Sequence, residues 1–205
     1  MMTAVPPTGA AAGPAAAPGG PAPVRVAILS DTHGWVDPRV LAVVADCDLA
    51  VHGGDIGSAA VIACLQPRHG PVWAARGNND RPADWPTADR AILDRLPGWV
   101  ELSLPGGTLV VIHGHQTPAR GRHERLRRRF PRARALVYGH SHRLLLDQEA
   151  LPWVLNPGAA GRTRTHGGPS CLVLTAGVDC WTIRIFRFAP TSQALPKGAG
   201  AGTHD

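Results

Sequence analysis

The sequence predicts an α/β fold, and three observations carry that expectation. Short apolar runs alternate with amphipathic stretches through the first half of the chain, the pattern of parallel βαβ units. From Trp99 the character changes to a hairpin and later, from Leu144, to apolar runs across turn residues that favour largely antiparallel strands. Gly and Pro number 24 and 20 among 205 residues, so many short elements should be joined by tight turns.

The elements follow in order. Val24 to Ser30 reads as a buried strand that runs into Asp31-Thr32-His33-Gly34. Asp37-Pro38 starts a helix with Val40, Leu41 and Val44 on its apolar stripe. Asp48 to Val51 forms a second strand and runs into His52-Gly53-Gly54-Asp55. Ser58 is placed to cap a helix that turns Val61, Ile62 and Leu65 inward. A third strand, Val72 to Ala75, runs into Arg76-Gly77-Asn78-Asn79-Asp80. Trp99 to Leu104 and Thr108 to Ile112 flank Pro105-Gly106-Gly107 as a hairpin that delivers His113-Gly114-His115. A charged helix over 120–130 precedes the strand Ala135 to Tyr138, which delivers Gly139-His140-Ser141-His142. Further strands are expected at Leu144 to Leu146, Trp153 to Leu155, Cys171 to Leu174 and Trp181 to Phe188.

Composition sets the outer bounds. Hydrophobic residues make up 44% and charged residues 18%, which suits one globular domain with a sizeable core. Residues 1–23 are almost entirely Ala, Pro and Gly and are expected to form a disordered tail; residues 189–205 read as a flexible C-terminal tail, which leaves a domain over 24–188. Cys47, Cys64, Cys171 and Cys180 form no C-x-x-C pair and lie in or beside apolar runs. A zinc–thiolate site or disulfide framework is therefore disfavoured, and a reducing, cytoplasmic setting is expected with buried free thiols. No apolar run has the length of a membrane span, and the N-terminus lacks a signal-peptide pattern. The net charge of +6 favours anionic partners without choosing among them.

The chemistry lies where the strands end. Five strand ends carry Asp, His or Asn beside Gly: Asp31 with His33, Asp55, Asn78, His113, and His140 with His142. Ligands bind beyond the carboxyl ends of strands in open α/β sheets. Oxygen and imidazole donors without thiolate suit Mn, Fe, Zn or Ni. One ion can be held by Asp31, His33 and His142, and another by Asn78, His113 and His140. Asp55 can bridge them, because a carboxylate has an oxygen for each. Any one of these motifs alone is more often a turn or a cap; the full set in this order is what points to a metal centre.

Taken together, these residues resemble the calcineurin-like metallophosphoesterases. Val-His-Gly-Gly-Asp, Arg-Gly-Asn-Asn-Asp, Ile-His-Gly-His-Gln, Gly-His-Ser-His and Asn156-Pro157-Gly158 are most similar to the small single-domain YfcE-type phosphodiesterase branch. A retromer subunit is built on the same fold. The resemblance covers Val26 to Gly158 and implies a four-layer α/β/β/α sandwich of two mixed sheets. It also implies the ligand assignment above, with His113 as the ligand of the His-Gly-His pair. One departure is Asn79, where many members carry a histidine thought to protonate the leaving group; an amide cannot act as an acid, so esters with poor leaving groups should suffer most. A lesser departure is Ala159, where a small hydroxyl residue is common.

The function implied is hydrolysis of a small phosphate ester, a phosphodiester first, with two divalent ions, Mn before Ni, Fe or Zn. Ions about 3.5–4 Å apart lower the pKa of a shared water, giving hydroxide for in-line attack on phosphorus. Asn78 and His115 are the catalytic candidates, stabilising the phosphoryl oxygens. Leaving-group protonation could fall to His115, to Asp80 through water, or to solvent. Asn79, Asp80 and Trp35 are candidates for substrate contact, Trp35 at the pocket mouth. A phosphomonoesterase or nucleotide phosphatase is the alternative enzyme; a non-catalytic scaffold on the same fold is the alternative class, disfavoured because every ligand position is filled. Arg120 to Arg134 is densely basic and could meet nucleic acid. A solvated outer helix with Leu126 and Phe130 facing inward is the preferred reading, since no aromatic stacking platform is interleaved. His52 reads as a packing residue behind the site. The sequence does not specify an oligomeric state.

Overall fold

The structure is a computed structural model and describes residues 21–190. The expected tails therefore lie largely outside the described residues. Ten strands and four α-helices form two sheets and their covers: β1 (Val24–Leu29), α1 (Pro38–Ala45), β2 (Leu49–His52), α2 (Ala59–Cys64), β3 (Val72–Ala74), α3 (Arg90–Leu93), β4 (Trp99–Leu104), β5 (Gly107–Ile112), α4 (Arg122–Arg129), β6 (Ala135–Tyr138), β7 (Leu144–Asp147), β8 (Trp153–Pro157), β9 (Ser170–Ala176) and β10 (Trp181–Arg187). The first sheet has the order β10-β9-β1-β2-β3 and the second β4-β5-β6-β8-β7.

Four layers follow from strands that are apolar on both faces. Along β1, Ala27 and Leu29 pack with Val40 and Val44 of α1 and Val61 of α2. The alternate residues Val26 and Ile28 pack across the inter-sheet space against Leu109, Val111, Val137 and Leu155. The second sheet repeats the scheme: Val110, Ile112, Leu136 and Val154 turn outward onto Leu126 of α4. A period of two that is hydrophobic in both phases can be buried only between two covers. The sandwich is therefore α1/α2, first sheet, second sheet, α4, as the resemblance implied. Among the described residues no helix is long and apolar enough to cross a membrane.

The direction of the strands aims the site. β1 pairs in parallel with β2, and β2 with β3. In the other sheet β5 is parallel to β6 and β6 to β8. The hairpin β4–β5 and the late pairs β7–β8, β1–β9 and β9–β10 are antiparallel, as expected, so the parallel pairs of the second half are those of β6 with β5 and β8. The reason is that α4 serves as a crossover, so β5 and β6 run the same way.

Some details differ from expectation. Asp37 caps α1 by accepting from the Arg39 N–H at 2.9 Å, but Ser58 makes no capping bond at α2. The Ala59 N–H is satisfied instead by Asp89 Oδ2 at 3.0 Å. Asp89 closes a 3₁₀ turn that leads into α3, a short helix without the periodicity needed to find it by eye. All four cysteines are free, yet only Cys47 and Cys171 are buried while Cys64 and Cys180 are exposed. On α4, Leu126 is fully buried and Phe130 partly so. Arg127 is pinned to Asp147 at 2.6 Å and to the Pro152 carbonyl at 2.9 Å, and Arg128 pairs with Glu124 at 2.5 Å.

Candidate metal centre

Six parallel strands, three from each sheet, point their carboxyl ends at one edge of the sandwich. The residues just beyond those ends meet there. Asp31, His33, Asp55 and His142 each offer one donor atom, and these atoms all lie within 4.8 Å of one another. His142 Nε2 is 3.2 Å from His33 Nε2 and 3.4 Å from Asp31 Oδ1. A second group abuts the first through Asp55. His113 Nε2 lies 3.3 Å from Asp55 Oδ2 and 3.1 Å from Asn78 Oδ1. His140 stands edge-on to His113 with ring centroids 5.2 Å apart, and its backbone N–H donates to Asp31 Oδ1 at 3.1 Å. The seven residues expected as ligands thus lie at one edge of the sandwich, and Asp55 neighbours both His33 and His113.

Several observations test whether a cation fits. The Thr163 carbonyl accepts from His142 Nδ1–H at 2.8 Å, which leaves the Nε2 lone pair facing Asp31 and His33. The Gly53 carbonyl, 2.8 Å from His113 Nδ1, does the same for His113. Both rings thus turn Nε2, the nitrogen that ligates a cation when unprotonated, towards the oxygens of Asp31 at His142 and of Asp55 and Asn78 at His113. Asp31 Oδ2 is buried with no hydrogen-bond partner among the described residues, although buried polar atoms are nearly always paired. The donor set fits divalent metals.

The backbone carries the same mark. Asp31, His33, Asp55, His140 and His142 all adopt positive φ, between 48° and 66°. Asp and His tolerate this left-handed region better than most residues, yet each still costs about 1 kcal/mol or more. Strain gathered on five of seven candidate ligands marks a site the fold is built to hold. Close approach adds a constraint at two glycines. A Cβ on Gly77 would overlap Asp55 Oδ1, and one on Gly139 would overlap Ser30 Oγ.

Electrostatics follow from burial and neighbours. Burial pushes the Asp31 carboxyl up to about 7, with the His113 charge working against it. Burial also opposes the charge on Asp55, but hydrogen bonding and charge from His113, then Asn79, hold that carboxyl well below the usual range. Burial disfavours a charged His113, and Asp55 more than offsets it, so His113 is raised. Burial lowers His33 and His140, and takes His142 to about 4. His52 is likewise lowered to about 4 by burial. Its Nδ1 accepts from the Gly54 N–H at 3.1 Å, so its Nε2–H is left to donate to Thr32 Oγ1 at 2.9 Å. It ties β1 to β2 behind the ligands, as expected.

The non-ligand candidates are placed as follows. Asn79 donates its backbone N–H and its amide to the two oxygens of Asp55, at 2.8 and 2.7 Å, so it orients that carboxylate. Asp80 corrects an expectation. Its buried carboxylate accepts from the backbone N–H groups of Asp55, Ile56, Gly57 and Gly77 and from Trp85 Nε1, all within 3.1 Å. So saturated, it braces the β2 and β3 loops and has no free lone pair for substrate or proton relay. His115 is exposed, its ring 5.5 Å from His113; desolvation, then the His113 charge, lowers its pKa. With Arg76, Arg81 and Gln116 it lines a recess of about 370 Å³ beside Asn78. Trp35 is half-buried, with the Arg162 guanidinium 3.8 Å above its ring.

The sequence reading quoted Asn156-Pro157-Gly158 within the resemblance but gave the loop that follows it no role. Beyond β8, buried Asn156 donates to the Gly139 carbonyl and to Ser141 Oγ, both at 3.0 Å, and so fixes the loop of His140 and His142. The following segment brings Thr163 and Arg164 to His142 and lays Arg162 over Trp35. The available signal was a sixth strand end beside Gly, Gly158, followed by two arginines.

Comparisons with known proteins agree with this geometry. No curated protein sequence matches the chain. Among solved structures, the chain is similar to Vps29 of Entamoeba histolytica in complex with zinc, with a TM-score of 0.61, 16% identity, and 80% of this chain and 98% of that one covered. It is similar to a predicted phosphoesterase of Streptococcus pneumoniae, with a TM-score of 0.57, 19% identity and coverage of 81% and 90%. It is also similar to an archaeal phosphodiesterase, with a TM-score of 0.58, 20% identity and coverage of 79% and 99%. At these identities the likeness speaks for the fold. The family model for the calcineurin-like phosphoesterase superfamily domain matches residues 24–178. The match spans both groups of ligands and most of the described residues, so this chain belongs to the calcineurin-like phosphoesterase superfamily.

Proposed function

We propose that this chain is a metal-dependent phosphodiesterase working with two divalent ions, manganese by preference. The observation that carries the reading is Asp55, a buried carboxylate shared between two groups of ligands. Asp31, His33 and His142 would hold one ion, Asn78, His113 and His140 the other, and Asp55 both. Bound there, divalent ions supply the Lewis acidity that makes water nucleophilic near neutral pH and offsets phosphoryl charge.

The residues around them orient and polarise. Thr163 and Gly53 hold His142 and His113 in the tautomer that presents Nε2 inward, and Asn79 fixes Asp55. Asn78 and His115 border the recess where the leaving group can lie. With its pKa lowered, His115 is neutral near pH 7 and a poor proton reservoir, and Asn79 cannot donate as an acid. Solvent is then the proton source, and diesters with good leaving groups are the favoured substrates. The cytoplasmic setting expected from cysteine usage is part of the proposal. A polyanion contact through Arg120 to Arg134 is not, because Arg127 and Arg128 are spent on acceptors of this chain.

The likeness to Vps29 favours a second reading, a scaffold on the same fold. Retention of every ligand position weighs against it. The deciding experiment crosses Mn²⁺, Ni²⁺, Zn²⁺ and Mg²⁺ with a model phosphodiester, a phosphomonoester and cyclic nucleotides, using wild type and Asp55→Ala, His113→Ala and His142→Ala. Turnover of the diester with Mn²⁺ and a loss of 100-fold or so in each variant is expected. Near-wild-type rates in all three variants would remove this site from the chemistry. A metal-loaded wild type inert on all substrates would favour the scaffold.

A further inference from the structure

We infer that Arg164 contacts the substrate directly and recognises a non-bridging oxygen of the scissile phosphate. This rests on the phosphoesterase reading and names a residue it did not contain. Arg164 lies in the loop beyond β8, and its Nη2 donates to His142 Nε2 at 3.0 Å. That is the lone pair which the Thr163 carbonyl turns towards Asp31 and His33. One lone pair serves one electrophile at a time. A divalent ion that takes His142 Nε2 leaves the guanidinium at the rim of the site without its acceptor.

Among the described residues nothing else claims it. Among the described residues Arg164 makes no ion pair within 4.0 Å, whereas Arg39, Arg68, Arg81, Arg127 and Arg128 each have a carboxylate. A guanidinium stays charged and carries five donors. Beside two dications it is repelled unless an anion lies between, and a phosphoryl group offers oxygens spaced for its fork. The backbone supports placement by design: Arg164 adopts φ 50°, a strained conformation for a long side chain. The loop is anchored on both sides, by the Ala160 N–H on the Ser30 carbonyl at 2.9 Å and the Ser170 N–H on the Ala159 carbonyl at 3.0 Å. Arg162, two residues earlier, is stacked on Trp35.

The test uses the full chain with Arg164→Gln, Arg164→Lys and, as a control of equal charge change on α4, Arg129→Gln. Calorimetry measures Mn²⁺ binding to the metal-free proteins, then inorganic phosphate binding to the Mn²⁺-loaded proteins; steady-state rates on a model phosphodiester follow. Arg164→Gln should bind Mn²⁺ as tightly as wild type or more tightly, because a competitor for His142 is gone. Its phosphate affinity should fall about tenfold or more, with KM rising in step. Arg164→Lys should lie between, and Arg129→Gln should match wild type. Phosphate affinity within twofold of wild type in Arg164→Gln would overturn the inference. So would a parallel loss of Mn²⁺ affinity, the signature of a merely structural role. If wild type hydrolyses diesters while Arg164→Gln is unchanged, this inference alone fails; if loaded wild type neither binds phosphate nor hydrolyses any ester, the phosphoesterase reading fails with it.

Discussion

Asp80 shows how misleading a residue can be when only its type is visible. An aspartate two residues after Asn78 in a site loop reads as a group for substrate or protons. In the fold it is an internal strut, with N–H donors from the β2 loop, the β3 loop and Trp85 converging on it. Removing such an acceptor strands several buried donors at once, each costly to leave unpaired. Asp80→Ala should therefore destabilise the protein by about 3 kcal/mol or more in urea unfolding. Where the variant remains folded, its metal affinity should drop because the Asp55 backbone loses its brace. A variant of wild-type stability with selectively altered leaving-group preference would restore Asp80 to the chemistry.

The elements differ in how openly they declare themselves. β1, β5 and β6 are legible because each is a run of apolar residues ending at Gly or a polar turn. α4 declares itself less openly, since its composition is mostly arginine and only Leu126 and Phe130 mark its inward face. Its attachment comes from one fully buried residue, Leu126, together with partly buried Phe130. At its rim, Asp147 of β7 receives both Arg127 and His123, at 2.6 and 2.7 Å. Leu126→Ala should cost about 2–5 kcal/mol, because the cavity lies between helix and sheet where neither can collapse far. Manganese affinity of the folded variant should stay at the wild-type level, the ligand loops being on the strands and not on α4. Destabilisation below 1 kcal/mol would show that the outer layer is not docked as described.

For the whole molecule, the site is a debt in folding free energy that a cation settles. The windows follow from the ionisation shifts in the metal-free protein. Asp31 is raised from 3.8 to about 7, so its contribution to stability is present below about pH 4 and lost as pH rises through 7. His52 and His142 are lowered from 6.5 to about 4, so theirs is present above pH 6.5 and lost as pH falls through 4. Metal-free protein should be most stable near pH 6.5. A divalent ion prefers the ionised Asp31, so its stabilisation should grow as pH rises from 6 to 8. At a thousandfold excess over Kd the gain is about 4 kcal/mol per site. Thermal unfolding with Mn²⁺ and with a chelator, at pH 6 and pH 8, reads this directly; an equal gain at both pH values, or none, would contradict it.

From the sequence alone, the strand ends and the donor types gathered beyond them could be read, because hydrophobic runs and chemical donors are properties of local sequence. The sandwich came with the family resemblance that those motifs carry. Only the tertiary structure decided what depends on residues far apart in the chain. It made the second sheet's core parallel, turned Asp80 inward, committed Asn79 to Asp55 and swung Arg164 onto His142. Each of these is a choice of hydrogen-bond partner far along the chain, except for the donors Asp80 draws from its own loop. A side chain's type limits which bonds it can make, and the packing of the surrounding loops selects the one it does make.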